Sequence, residues 1–447
     1  MNQGTRHSVL MSSNSLKVLY CDAGCDRRGH FGINAAKLCQ ALSKMGHDVL
    51  LVTNKICLNQ FLYEQPLFKI VEVEDGKYEL EEYIKNRVKH PYRYYYAYFR
   101  NSYFIFKNAL KLAIKYNVDI IHGTGIEFGV ASLILLVSNG KLPPILWEVQ
   151  AANFTFNTYA GNFILCLYKS LQRRIFKRVI GKCIKGFAVL GDYQKEIQRK
   201  QLSIREDFSI EVIREGGDGP REVIDKKVAQ ERIGISNLNG HDVFLFFGLL
   251  RRDKGIEYLL RAIPLVKREK FSVVIAGAPI DYKKDDIQRM VDELGIQNKV
   301  ILNLKYIPAD DVPFYFFASD ALVLPYTKKY TGGSGPLFNE GACAHGKPCI
   351  VSDVSEMGRV TKIHQIGLVF NPENPQSIAE RLSYFIDLPF SERQRLSENA
   401  RAFAKQNTWG IRAEKYLALY SKLIWCDSFT EATMRFEAVH VKPLSTG

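Results

Sequence analysis

The sequence has no apolar run long enough to cross a bilayer. Its longest, Phe128 to Val137, falls well short of the ~20 residues that a spanning helix needs, so no membrane-crossing segment is expected. The first fifteen residues are polar and hold no stretch resembling the core of a signal peptide. The nine cysteines are dispersed, odd in number and never spaced Cys-x-x-Cys. That pattern excludes a small disulfide scaffold and predicts a reduced, cytoplasmic chain. There is no His-Glu-x-x-His and no Cys/His ligand spacing, so no metal is expected. A Gly-x-Ser-x-Gly elbow is also missing, which argues against a serine hydrolase. With 32 Gly and 16 Pro in 447 residues, the chain is neither fibrous nor disordered.

Negative charge is the other scarce commodity. The 47 Asp and Glu face 61 Lys and Arg, a net charge of +14. Such an excess calls for an anionic partner: lipid, nucleic acid or phosphorylated substrate. It is locally concentrated, because the 43 residues from Val149 to Gly191 contain no Asp or Glu. Within them, residues 163–185 alternate cations with leucine, isoleucine and phenylalanine. This reads as a basic amphipathic helix suited to an anionic membrane surface. Its competing reading is a helix packed on its own sheet with the cations solvated. Tyr92 to Phe106 interleaves aromatics with arginine, but no nucleic-acid-binding motif accompanies it, so no nucleic-acid partner is expected.

What is present is a repeated strand–helix alternation. Lys17–Cys21, a helical stretch closed by Gly46, and Val49–Thr53 form a βαβ unit. Further strands are predicted at 118–122, 145–149, 186–190 and 209–213. Glu215–Pro220 (EGGDGP) is the clearest linker. The pattern restarts at Val243–Phe247, with a predicted helix over Gly255–Lys267. Strands at 272–276, 299–304, 321–324 and 348–351 follow, with helices at 285–294 and 339–344. The fold class is therefore α/β: two doubly wound parallel-sheet domains, Rossmann-like, facing a cleft. The boundaries predicted are 16–214 for the first domain, 221–410 for the second, and 411–425 for a helix crossing back. Ligands of such sheets bind beyond the carboxyl ends of the strands.

Two stretches place chemistry at those ends. In Phe246–Leu260 (FFGLLRRDKGIEYLL) a strand ends at Gly248 and a turn carries Arg251, Arg252 and Lys254. A guanidinium fork beside an ammonium suits a diphosphate, whereas a merely solvated basic loop is the plainer alternative. In Tyr330–Val351 a glycine-rich loop runs into Pro336, a residue suited to the first turn of a helix. Ser334 or Gly335 is the expected cap. The amides of Leu337 and Phe338 are the expected anion donors, and Glu340 lies one turn inside, placed to accept from vicinal hydroxyls such as those of a ribose. The plainer alternative is a capped helix with Glu340 as dipole partner.

These residues resemble a known family. Gly248-x-x-Arg251-x-x-Lys254-Gly255 is similar to the donor motif of family 4 retaining glycosyltransferases, in their subgroup with arginine three residues after the glycine. Phe317–Tyr326, Ser334–Gly335, Glu340, Gly346-Lys347-Pro348 and Gly367–Pro372 resemble the family's later segments in the right order. Gly46–Val49 and Ile213–Asp218 resemble earlier ones. The resemblance spans roughly 16–425 and implies the GT-B fold. It also implies retaining transfer of a sugar from a nucleotide diphosphate sugar, UDP- or GDP-linked, with no metal or other cofactor. The acceptor implied is a glycan or lipid-linked hydroxyl in polysaccharide or glycoconjugate biosynthesis. By the same resemblance Arg251 and Lys254 neutralise the leaving diphosphate, Gly248 belongs to the donor-binding set with Ser334, Gly335 and Leu337, and Glu340 holds the ribose. Gly29, His30 and Gly32 in the first βα loop, with His122 and Gln150 at strand ends, would line the acceptor and phosphate side. The expected location is cytoplasmic, peripheral on the inner membrane face.

Two departures stand out. Gly332 occupies the place, eight before Glu340, where the family usually carries a sugar-contacting glutamate. Gln150 replaces a histidine common in relatives, and glutamine orients a hydroxyl without titrating. A weakened nucleotide-sugar-binding protein, or an epimerase or inverting transferase on the same fold, are the alternatives.

Overall fold

The computed structural model describes residues 15–25, 30–54, 62, 64–73, 91–138, 142–149, 163–330 and 336–440. Among these residues thirteen parallel strands form two sheets, seven in the first and six in the second. The first sheet holds β1 (Lys17–Asp22), β2 (Asp48–Thr53), β3 (Lys69–Glu72), β4 (Ile120–Thr124), β5 (Ile145–Val149), β6 (Ile184–Val189) and β7 (Ser209–Val212). Their spatial order is β3-β2-β1-β4-β5-β6-β7. The order reverses between β1 and β4, the topological switch point where ligands of such sheets gather. Most of these strands are apolar runs buried on both faces, as all-parallel sheets require.

Helices cover both faces. On one lies α1 (His30–Lys44). On the other lie α2 (Pro91–Tyr116), α3 (Phe128–Val137) and α4 (Phe163–Val179), which share a core of Ile105, Phe106, Ala131, Leu135, Trp147 and Phe176. Helix α5 (Asp192–Leu202) follows β6.

The second sheet comprises β8 (Asp242–Phe247), β9 (Phe271–Ala276), β10 (Val300–Asn303), β11 (Ala321–Leu324), β12 (Cys349–Ser352) and β13 (Gly367–Phe370), in the order β10-β9-β8-β11-β12-β13. Around it pack α6 (Lys226–Arg232), α7 (Ile256–Ala262), α8 (Lys284–Glu293), α9 (Val312–Phe317), α10 (Ser355–His364), α11 (Pro375–Asp387) and α12 (Phe390–Gln406). Its switch point lies between β8 and β11, so the turn after β8 and the segment after β11 emerge side by side.

Helix α7 is shorter than the expected Gly255–Lys267. It stops at Ala262, and a 3₁₀ turn spans Ile263–Leu265. Pro264 is the cause, since it has no N–H to continue an α-helical ladder. The helix expected at 339–344 runs from Pro336 to Cys343 and is wound as a π-helix. Ala344 N–H accordingly reaches back five residues, to the Asn339 carbonyl. Such wide turns recur at functional sites.

The last helix, α13 (Trp409–His440), lies on the first lobe. Tyr416, Tyr420 and Leu423 pack with Val18, Leu38 and Leu42 in one buried cluster.

Candidate active site between the lobes

The turn after β8 is set by two backbone constraints. Gly255 has φ +64, and a Cβ there would lie 2.1 Å from the Pro325 carbonyl oxygen. Only glycine lets the turn press against the end of β11. Gly248 has φ +106, and its carbonyl lies so near Gly277 that a Cβ on the latter would come within 1.9 Å. These contacts fix the path of residues 248–255 between two strand ends.

Within that turn the three cations divide. Arg252 turns away: its N–H donates to Asp281 at 3.1 Å, and its guanidinium sits 5.4 Å from the Tyr282 ring centre. Arg251 donates through Nε and Nη2 to the two oxygens of Asp253, at 3.1 and 2.9 Å. That fork holds the guanidinium in one orientation while leaving it 41% exposed. Lys254 points inward. It is 8% exposed, and its Nζ lies 5.5 Å from the Tyr326 ring centre. Burial, and then the Arg251 charge, push its pKa down to about 8, with Asp253 opposing. Among the described residues no carboxylate lies within ion-pair distance of Lys254. An ammonium held out of water beside a second cation favours a polyanionic ligand.

The β11 segment binds the same turn. Thr327 donates from N and Oγ1 to the Asp253 carbonyl, at 3.0 and 3.2 Å. Tyr326 and Tyr330 pack edge to face at 4.5 Å. Tyr330 immediately precedes the glycine-rich loop. Ser334 and Gly335, with Gly332, lie outside the described residues. Leu337 and Glu340 belong to the π-helix, but their side chains are outside the described set.

On the first lobe, Gly29 and Gln150 lie outside the described residues, and so does the side chain of His30, the first residue of α1. Gly32 is buried in the first turn of α1. His122 requires a correction. It was expected to reach the cleft, yet it is 0% exposed inside the lobe. Its Nδ1 lies 2.7 Å from Tyr420 Oη and its Nε2 3.5 Å from Glu148 Oε2. The reason is α13, whose tyrosines cover that face of β4. Burial lowers the pKa of His122, with the Glu148 contact opposing it.

A chain of polar contacts, not anticipated from the sequence, starts at this histidine. Glu148 pairs with Arg412 Nη2 at 3.0 Å and accepts from Tyr416. Arg412 Nη1 donates to Asn34 Oδ1 at 3.1 Å, and Asn34 Nδ2 to Glu215 Oε1 at 3.3 Å. Asn339 Nδ2 then donates to the carbonyls of Glu215 at 3.2 Å and Asn407 at 2.8 Å. The chain runs from β4 of the first lobe, across the linker, to the residue before Glu340. One signal was available: Glu148 is a charged residue inside an apolar strand, and a buried polar group needs a partner.

The lobes also meet at the rim. Glu356 Oε2 accepts from Tyr193 N at 3.1 Å, and Arg214 lies 3.1 Å from Glu356 Oε1. A crevice of about 440 Å³ including its mouth opens there, lined by Arg214, Glu215, Asn339 and Glu356 over an apolar floor of Phe338 and Phe403. The crevice flanks the linker and contains none of the 251–254 cations.

Residues 229–403, within the second lobe, match the family of Glycosyl transferases group 1. An uncharacterized glycosyltransferase of Methanocaldococcus jannaschii is 32% identical over 149 residues, 33% of this chain and 36% of that one. The alpha-monoglucosyldiacylglycerol synthase of Streptococcus pneumoniae is 23% identical over 324 residues, 71% of this chain and 70% of that one. The match spans less than half the length of five curated relatives, the Methanocaldococcus jannaschii protein among them. Among solved structures, Anabaena HepE in complex with UDP and glucose superposes with a TM-score of 0.66 at 15% identity. That match covers 91% of this chain and 100% of the other. Two parallel-sheet α/β domains with these neighbours are the GT-B fold.

Proposed function

We propose that this protein is a retaining glycosyltransferase. It moves a hexose from a nucleotide diphosphate sugar to a hydroxyl of a glycan or lipid-linked acceptor. The observation that carries the reading is the pairing of Arg251 with buried Lys254 at the carboxyl end of β8. The group 1 domain match over 229–403 and the UDP and glucose named for HepE support a nucleotide-sugar donor. The lipid product named for the Streptococcus pneumoniae relative supports a lipid-linked acceptor.

In this reading the bond from the sugar's anomeric carbon to the diphosphate oxygen breaks. The acceptor oxygen bonds to that carbon on the face the diphosphate leaves. The acceptor's proton passes to a diphosphate oxygen, so no protein nucleophile is required. Negative charge grows on the leaving phosphate, and fixed cations stabilise it more than they stabilise the ground state. Arg251 is pre-aimed by Asp253, and Lys254 supplies a charge already stripped of water. Each is worth on the order of a hundredfold in rate. Glu340 holds the ribose, and Gln150 orients the acceptor.

The test is a thermal-shift panel of UDP, GDP and ADP at about 100 times the expected Kd, where one site adds about 2.7 kcal/mol. One nucleotide should raise Tm, and Arg251→Ala and Lys254→Ala should abolish that rise in proteins that still melt cooperatively. Unchanged shifts in both variants contradict the donor assignment. The anomeric configuration of the product, read by NMR with the responding sugar nucleotide, checks retention.

A further inference from the structure

The first lobe presents one face without acidic groups. Helices α2, α3 and α4 contain no Asp or Glu at all, yet α2 and α4 carry ten Lys and Arg between them. Sequence alone shows the acid-free stretch around α4; folding brings α2 alongside it, with α3 packed between the two. Large apolar side chains stand out of the same layer: Leu133 at 52%, Val137 at 77%, Leu167 at 61%, Leu171 at 55% and Ile114 at 59% exposed. On α2 and α4 the cations Lys107, Lys111, Arg174, Lys177 and Arg178 are exposed as well.

Lys177 Nζ also donates to Ser203 Oγ at 2.9 Å, and Lys107 Nζ to Tyr103 Oη at 3.0 Å. The inward sides of these helices already fill the core with Phe106, Leu135 and Phe176. Exposed aliphatic side chains and exposed cations on three neighbouring acid-free helices mark a surface that meets something both apolar and anionic. We infer that this three-helix face docks on an anionic lipid bilayer. Leucine and valine side chains enter the boundary between headgroups and acyl chains, and lysine and arginine lie at the phosphates. A nucleic acid would use the cations but leave the aliphatic side chains in water. A second copy of the chain would bring the same cations face to face.

The placement suits the cleft. Asn101 Nδ2 donates to the Ala23 carbonyl at 3.3 Å and Tyr98 Oη to the Gly125 carbonyl at 3.1 Å. Both carbonyls lie just past the carboxyl ends of β1 and β4. Helix α2 therefore reaches from the docking face to the rim where the proposed acceptor enters. Docking depends on the outer surface alone and holds whether or not the cleft transfers sugar. Among the described residues no helix is long and apolar enough to cross a membrane, so the attachment is peripheral.

The experiment is co-sedimentation of the full chain with phosphatidylglycerol/phosphatidylcholine vesicles and with pure phosphatidylcholine vesicles. Partitioning should favour the anionic vesicles at least tenfold and fall as salt rises. Each cation near such a surface is worth on the order of fivefold. Lys177→Gln with Arg178→Gln should therefore weaken binding by on the order of twentyfold or more. Leu167→Ser with Leu171→Ser should weaken it at unchanged charge, and both variants should keep the wild-type Tm. Equal partitioning to both vesicle types, or no effect of the leucine pair, overturns the inference. Competition by RNA with no vesicle binding would assign the face to nucleic acid instead. A concentration-dependent dimer in sedimentation velocity, lost in the leucine variant and with no vesicle binding, would assign it to self-association.

Discussion

Arg412 Nη2 lies 3.0 Å from Glu148 Oε1, with the two side chains 1% and 0% exposed. The arginine comes from α13 and the glutamate from β5, which are 264 residues apart in sequence. A buried pair of this kind costs desolvation on both sides, and removing one partner leaves the other charge stranded. Its contacts with Asn34 and Tyr416 share the compensation. The C-terminal helix is thereby tied to the sheet of the first lobe.

Arg412→Met should accordingly destabilise the protein by about 3–5 kcal/mol, because Glu148 then remains buried and unpaired. Arg412→Met with Glu148→Leu should recover much of that loss. Urea unfolding of the two single variants and the double variant closes the cycle. A single variant as stable as the wild type would show that the pair contributes nothing.

The strand pattern was legible because parallel strands are apolar on both faces, and runs such as Val49–Thr53 and Val243–Phe247 have no other use. The turn with Arg251 and Lys254 was legible because its cations follow a strand directly. What stayed hidden depends on partners far away in sequence. His122 looks like a strand-end histidine until α13, nearly 300 residues later, covers it. Asn339 has no local feature that announces its hold on the carbonyls of Glu215 and Asn407. The π-helix was equally unreadable, since one extra residue per turn leaves no mark in an eight-residue segment.

Gly255→Ala should act on the site more than on the fold. A left-handed non-glycine residue costs about 1–2 kcal/mol, and the added Cβ would meet the Pro325 carbonyl at 2.1 Å. The turn must then lift away from β11 and take Lys254 from Tyr326. The nucleotide-induced rise in Tm should vanish. Gly240→Ala is the control: its φ is +83, but nothing lies within 4 Å of the new Cβ. It should lower stability comparably through backbone strain and leave the nucleotide response intact.

Acid should weaken the second lobe through His345. Its Nδ1 lies 2.6 Å from the Gly341 carbonyl, and its ring stacks on Phe316 with centres 4.9 Å apart. Burial is the main cause that brings its pKa down to about 4. The unfolded chain, with an ordinary histidine near 6.5, then binds a proton that the folded chain refuses. Stability is lost as pH falls from about 6.5 to about 4, by about 1.4 kcal/mol per unit from this group. His345→Gln should flatten the urea-measured slope in that window by one proton. An identical slope would exclude His345 as its source.

Lys254 sets the alkaline limit of nucleotide binding. Burial and the neighbouring Arg251 hold its pKa at about 8, so the free protein loses this charge as pH rises through that value. Arg251 cannot follow, because a guanidinium stays protonated throughout the range. If a diphosphate binds the ammonium form, affinity should be constant below pH 7. It should then fall toward tenfold per unit above about 8 as a single ionisation. Titration calorimetry between pH 6.5 and 9, with the nucleotide that raises Tm, reads this directly. Lys254→Arg retains a charge that does not titrate, so its affinity should be weaker at neutral pH, where the guanidinium fits the buried slot poorly, but level to pH 9. A wild-type profile level through pH 9 would mean that Lys254 does not face the diphosphate, and a limb that survives in Lys254→Arg would assign the ionisation to another group.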